Sequence, residues 1–218
     1  MRIVVGWLNL SIPLIAGAGA YAIAVAQGFD AVCNPFLSGC TSVSRAARFG
    51  DAIFWFRGLM MPLSCLLVLY WLFQRRWLDQ EFGKKLTHQI IFILGFISAL
   101  ALIIYVNFLG SDGEIYRFMR RFGVTVYFGF AMLAQLLSIY SLSNSKNPMP
   151  DSLQSLRRLQ LLVVSIQWLL GLVSLAITIF QPEYTYQANN ILEWNFSLAM
   201  TVFYGTSAWY WSKQKSIG

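Results

Sequence analysis

Six apolar stretches, at about 3–27, 52–74, 90–110, 122–143, 161–180 and 191–212, occupy most of this 218-residue chain. A helix rising ~1.5 Å per residue needs ~20 residues to cross a ~30 Å hydrocarbon core, and each stretch is near that length. The connecting segments carry charge unevenly. With the N-terminus cytoplasmic, the inner face holds Arg2, Arg75, Arg76, Lys84, Lys85, Lys146, Arg157, Arg158, Lys213 and Lys215 against Asp79, Glu81 and Asp151, which is the whole formal charge of +7. The outer face then holds six arginines against six carboxylates and is neutral. The opposite orientation would reverse the positive-inside bias. These observations predict an all-α polytopic membrane protein with six transmembrane helices and both termini cytoplasmic.

Composition excludes most alternatives. A chain that is 57% hydrophobic and 11% charged has too little polar surface for a soluble domain of this size. Its basic pI of about 9.5 does not point to nucleic acid, because the basic residues sit in short segments between spans, where insertion bias accounts for them. The first stretch is followed by no small-residue cleavage pattern and reads as a retained helix. No internal repeat or low-complexity run divides the chain, so residues 1–218 read as one transmembrane domain.

The inner segments 75–89 and 144–160 are charged, with turn signals at Asn147-Pro148 and Pro150-Asp151. The first outer segment, 28–51, is the longest and mixes Pro, Gly and Ser with Phe36, Leu37 and Val43. A free linker needs no such apolar residues, so this loop is expected to fold back over the bundle. It also carries Cys33 and Cys40 on the oxidising side. The intervening Pro- and Gly-containing loop can bring them together, which favours a structural disulfide over free thiols. A metal pair is disfavoured by the lack of a nearby His or further Cys. Cys65, in the second span, is expected to be a small packing residue.

The chemical inventory is mostly negative. His88 is the single histidine and is expected in an inner loop, too little for a multi-histidine metal centre or paired axial haem ligands. No G-x-S-x-G elbow, P-loop or dinucleotide fingerprint occurs, so no cofactor and no metal are expected. Two ionisable residues within spans stand out. Arg57 lies ~8 Å below the outer end of the second helix, and Glu193 lies near the outer end of the sixth, at similar depth. Charge there requires snorkelling or a partner, and it often marks a site. The plain alternatives are a structural ion pair or two snorkelling ends that never meet. The functional alternative is a polar pocket opening to the outer leaflet, rimmed by Arg45, Arg48, Arg117, Arg120 and Arg121. Planar guanidinium groups suit phosphate there. Asn107, Gln135, Gln167 and Asn195 are expected to bond helix to helix, and Ala16–Ala20 to form a small-residue packing face. Trp209-Tyr210-Trp211 is expected in an interfacial belt.

Several of these residues resemble a known family. Ser42-Val43-Ser44, Ala46-Ala47 and Trp55-Phe56-Arg57 look like the first-loop signature of the damage-regulated autophagy modulator and FGF-receptor-activating-protein family, with the closest likeness to its GPI-anchor remodelling branch. Pro35-Phe36-Leu37-Ser38 resembles the Pro-x-Ile-Ser element of the autophagy-modulator branch, and Glu193-Trp194 is similar to the family's acidic-aromatic pair in its last span. Where many members carry a His near the outer start of the fourth helix, this chain has Arg117, Arg120 and Arg121. The resemblance implies a lipid-related membrane protein and not a particular reaction. A bacterial inner membrane is the expected location, with a eukaryotic endomembrane as the alternative.

Three functions follow as expectations. The first is binding or remodelling of a membrane lipid with a phosphorylated headgroup at Arg57, Glu193, Arg45, Arg48, Ser42, Ser44, Arg117, Arg120 and Arg121. The second is a membrane-embedded lipid acyltransferase or hydrolase using Ser42, Ser44 or Glu193. The third is a small transporter, disfavoured by the weak polar content below Asn195 and the lack of a repeat. Oligomeric state and protein partners are not legible.

Overall fold

The computed structural model describes residues 1–143, 150–181, 183 and 185–215, so Lys146 and the Asn147-Pro148 turn signal lie outside the described residues. Among the described residues the chain is all-α. Its helices are α1 (Arg2–Ala26), the single turns α2 (Pro35–Ser38) and α3 (Val43–Ala46), then α4 (Ala52–Phe82), α5 (Leu86–Asn107), α6 (Glu114–Ser143), α7 (Asp151–Phe180) and α8 (Thr185–Lys215). Five of them, α1, α4, α5, α6 and α7, are long and apolar enough to cross a membrane.

The sixth apolar stretch lies within α8, which has the length, at 31 residues, but is not among those five. The reason is its environment. Trp194, Met200, Phe203, Tyr204 and Trp211 of α8 are buried inside the protein. Tyr70 of α4 meets Tyr204 and Trp211 with ring centroids 4.7 and 5.7 Å away, and Phe128 of α6 meets Phe196 at 5.2 Å. A helix that faces protein on several sides holds aromatic and hydrogen-bonding residues where a lipid-facing one holds aliphatics.

The helices outrun the apolar stretches. The segment 75–89, expected to be a loop, is helical except for 83–85, because α4 continues to Phe82 and α5 begins at Leu86. Arg75 and Asp79 pair one turn apart at 3.7 Å on this extension. Hydropathy reports where lipid ends, not where the helix ends, and charged residues such as Arg and Glu form helix well. Most of 111–121 is likewise helical, as the start of α6. His88, placed by its sequence in a loop, is fully buried in α5, with Nδ1 2.7 Å from Asp79.

In the bundle α1 packs on α4, α4 on α5, α5 on α6, α7 on α8, and α8 on α1. Small residues set the closest approaches. A Cβ on Gly123 would stand 2.6 Å from the Tyr105 backbone nitrogen, and one on Gly6 would stand 2.7 Å from the Ala208 Cβ. Neighbours α6 and α7 touch least, leaving a seam on one side of α8. Two residues differ from their expected places. Cys65 is exposed and not packed. Trp211 is fully buried against Tyr70 and Trp77, so it contributes to the core and not to an interfacial belt.

Candidate functional site

The segment between α1 and α4 is held across one end of the bundle by side chains of α8. Asn190 Nδ2 donates to the Gly39 carbonyl at 2.9 Å, Trp194 Nε1 to the Thr41 carbonyl at 3.0 Å, and Asn195 Nδ2 to the Phe36 carbonyl at 3.0 Å. The Glu193 carboxylate accepts from the Ser44 backbone N–H at 3.0 Å. Phe36 also packs on Trp194, with centroids 5.3 Å apart. A loop bearing apolar residues and unpaired backbone groups gains both burial and hydrogen bonds by lying here. Gly39 takes φ 61° beside the Gln187 carbonyl, a place and a conformation that both exclude a side chain.

Local chemistry shapes the rest of this roof. Asn34 caps α2, and Ser42 caps α3 through its Oγ, which accepts from the Arg45 N–H at 3.1 Å. Cys33 and Cys40 lie at disulfide distance, with Cα atoms 6.6 Å apart. The Tyr21 hydroxyl exchanges hydrogen bonds with the Cys33 backbone at 2.8 Å and so pins this loop to α1.

Under the roof lie connected voids. A cleft of about 610 Å³ runs down the α6/α7/α8 seam, with Ser44 and Glu193 at one end and Phe128, Gly129, Gly171 and Phe196 along it. Neither Gly129 nor Gly171 has an atom within 4 Å of where a Cβ would stand, so the glycines leave space that larger residues would fill. From Val124 to Met132 the cleft follows α6 for ~12 Å at ~1.5 Å per residue. About one turn beyond Met132 and Leu170 of its wall lies a polar clamp in which Gln167 Nε2 donates to Gln135 Oε1 at 2.9 Å and Gln135 Nε2 to the Met200 carbonyl at 3.3 Å.

Beside the mouth of the cleft is a second cavity of about 290 Å³, lined by Ser44, Arg48, Tyr105, Arg120, Arg121 and Val124. Three guanidinium groups share it and no carboxylate is among its described lining residues. The Arg48 Nε is buried and has no hydrogen-bond partner among the described residues. Its guanidinium carbon lies 6.0 Å from the Phe49 ring centroid, a contact that orients the group without satisfying its donors. Ser44 and Val124 line both spaces, so a polar, cationic end opens into an apolar one.

The expected site residues therefore divide. Ser42, Ser44, Glu193, Arg48, Arg120 and Arg121 gather at the top of the cleft, with the Ser42 and Ser44 hydroxyls 3.2 Å apart. Arg45 stands on the roof. It bonds the Tyr186 hydroxyl at 3.0 Å and faces Asp30 at 3.4 Å, and those two groups hold its pKa above the ordinary arginine value. Arg117 is exposed on the first turn of α6. Arg57 is elsewhere. It donates to the carbonyls of Val106, Asn107 and Leu109 at 3.2, 2.8 and 2.6 Å, and so caps the C-terminal end of α5 from α4. The Arg57–Glu193 ion pair, one of the alternatives for these two residues, is not among the ion pairs of the described residues. Shared depth on two helices left open which faces they turn to one another.

Sequence reasoning missed Asn190, Tyr105 and the two cleft glycines. Mid-span Gly129 and Gly171 were the available signal, since glycine inside a spanning helix marks either close packing or open space. A family model described as the Frag1/DRAM/Sfk1/Cwh43P N-terminal domain matches residues 2–213. The chain belongs to this family. No match was found among curated proteins or among solved structures. Most of the segments that carried the resemblance in this Frag1/DRAM/Sfk1/Cwh43P chain meet in space, because Pro35–Ser38 and Ser42–Ala47 form the roof and Glu193-Trp194 hold it, whereas Trp55-Phe56-Arg57 lies in α4.

Proposed function

We propose that this protein binds a membrane lipid with a phosphorylated headgroup, the phosphate lying among Arg48, Arg120 and Arg121 and an acyl chain lying in the α6/α7/α8 cleft. The observation that carries this reading is the joining of the two spaces at Ser44: one holds three arginines and a buried, unpartnered Arg48 Nε, the other is a mostly apolar slot at the least-packed seam. Of the neighbouring carboxylates Glu193 faces Arg48 electrostatically, which still leaves the three arginines in excess over it, and a net-positive cluster attracts an anion while the forked guanidinium favours phosphate. A slot between spanning helices admits a chain directly from the bilayer. Arg45 and Arg117 stand at the rim, and we assign Arg57 to holding the end of α5.

In this reading α8 is the sixth span, residues 1–218 are one six-helix domain with 28–51 as its cover, and both termini are cytoplasmic, so that the lipid is drawn from the opposite leaflet. The positive-inside bias supports that orientation. Because the family is eukaryotic, we place the protein in a eukaryotic endomembrane in preference to a bacterial inner membrane.

The test is native mass spectrometry of the purified protein with its co-purified lipids. A phosphorylated lipid should be retained by the wild type and largely lost from Arg48→Gln. Retention that is equal in both proteins, or confined to uncharged lipids, would overturn the reading. A second reading, lipid acyl transfer or hydrolysis, is favoured by one observation: the Ser42 and Ser44 hydroxyls, 3.2 Å apart, lie beside a carboxylate that already bonds Ser44. It predicts that Glu193→Gln retains lipid but loses turnover, whereas pure binding predicts no turnover in either protein.

A further inference from the structure

The seam between α6 and α7 is not the only groove at this end of the bundle. A second one, of about 220 Å³, lies on the opposite flank of α8 and is lined by Pro13, Gly17 and Ala18 of α1, Phe36 of the roof, and Trp194 and Leu198 of α8. Between the two grooves a narrow void of about 40 Å³ passes the inward face of α8 at Glu193 and Ser197. It shares Phe128 and Glu193 with the first groove, and Pro13, Val43, Ser197 and Thr201 with the second. Successive α8 residues are ~100° apart around the axis. Leu192 and Phe196 thus face one groove, Glu193 and Met200 the central void, and Trp194 and Leu198 the other.

The grooves run for similar lengths along α8, from Asn189 to Phe196 in the first and from Trp194 to Thr201 in the second. About one turn beyond the first, past Met132 and Leu170, lies the Gln135–Gln167 clamp. The second closes where α1 and α8 come together, with the Gly6 Cβ position 2.7 Å from the Ala208 Cβ and the Gly205 Cβ position 2.8 Å from the Leu10 side chain. Above that contact Pro13 interrupts the hydrogen-bond ladder of α1, and Gly17 and Ala18 keep its surface low. One roof covers both, since Ser44 lines the first groove while Phe36 and Val43 line the second.

Resting on the lipid reading above, we infer that the ligand is a two-chain lipid that straddles α8, its phosphate in the arginine cavity, one chain in the α6/α7 seam and the other in the α1/α8 groove. Two apolar slots on opposite flanks of α8, joined by a void that shares Tyr105 with a single cationic cavity, match two chains that leave one headgroup. A single-chain lipid fills one slot and forfeits the apolar burial of the other.

The test uses the full chain in phosphatidylcholine nanodiscs, titrated with dioleoyl phosphatidate and with 1-oleoyl lysophosphatidate and read by native mass spectrometry. The wild type should hold the two-chain lipid at least about tenfold more tightly. Ala18→Trp places a ring in the second groove from its open side and should remove that advantage while leaving lysophosphatidate affinity unchanged. Leu198→Trp, from the opposite wall, should do the same and guards against a folding defect in the first variant. Gly171→Leu, in the first groove, should weaken both lipids. Equal affinity of the two lipids for the wild type, or an undiminished two-chain advantage in both groove variants, would overturn the inference while Arg48-dependent lysophosphatidate binding still upheld the parent reading. If neither phosphate lipid binds and Arg48→Gln changes nothing, the parent reading fails and this one fails with it.

Discussion

Two arginines nine residues apart, Arg48 and Arg57, show how unlike the same side chain can be. Arg57 spends its donors on three carbonyls at the end of α5. Removing them uncovers backbone acceptors that have no helical partner of their own. Arg57→Gln should therefore cost about 2–3 kcal/mol, since hydrogen bonds to charged groups contribute ~1.5–3 kcal/mol, and should lower the melting temperature while lipid retention per folded molecule is unchanged. Arg48 is the converse case, with a buried Nε that has no hydrogen-bond partner among the described residues. Arg48→Gln should leave thermal stability nearly unaltered and release the lipid. Arg48→Lys keeps the charge but loses the fork, so it should retain lipid poorly at unchanged melting temperature. Thermal unfolding and co-purified lipid measured on the same samples separate the two roles, and a destabilised Arg48→Gln would deny the assignment.

At the scale of elements the roof is the part most open to perturbation. It contains only two single helical turns and depends on α8 for its anchors and on the Cys33–Cys40 link for its shape. Asn190→Ala strands the buried Gly39 carbonyl and should cost about 1–3 kcal/mol. Replacing both Cys33 and Cys40 by Ser should cost about 2–4 kcal/mol, the usual range for a native disulfide. Because these changes loosen the cover and leave the arginines in place, each should speed exchange of bound lipid more than it lowers equilibrium occupancy. Off-rates followed by native mass spectrometry after a chase with excess lipid would show it; unaltered off-rates would mean that lipid enters only through the lateral seam.

For the whole molecule, orientation is the decisive measurement. With Cys33, Cys40 and Cys65 replaced, single cysteines at the exposed positions Gln80 and Tyr186 report opposite faces. In sealed right-side-out membranes an impermeant thiol reagent should label position 186 and spare position 80. Labelling of 80 with protection of 186 would invert the molecule and assign its lipid to the other leaflet.

Much of the helical architecture was legible in the residues, because apolar length and the placement of Lys and Arg report directly on the bilayer. Helix ends were not, since Arg75, Asp79 and their neighbours continue α4 without any apolar signal. Nor was the character of α8, whose aromatic and amide residues are explained only by its neighbours. The sequence by itself determined a helical membrane protein of this family, with arginines and Glu193 gathered near one end. Which of those charges meet was decided by tertiary structure alone. Helical phase and packing turn Arg57 toward the end of α5 and Glu193 toward Ser44, and a one-dimensional pattern carries depth along a helix but not the face presented to a partner helix.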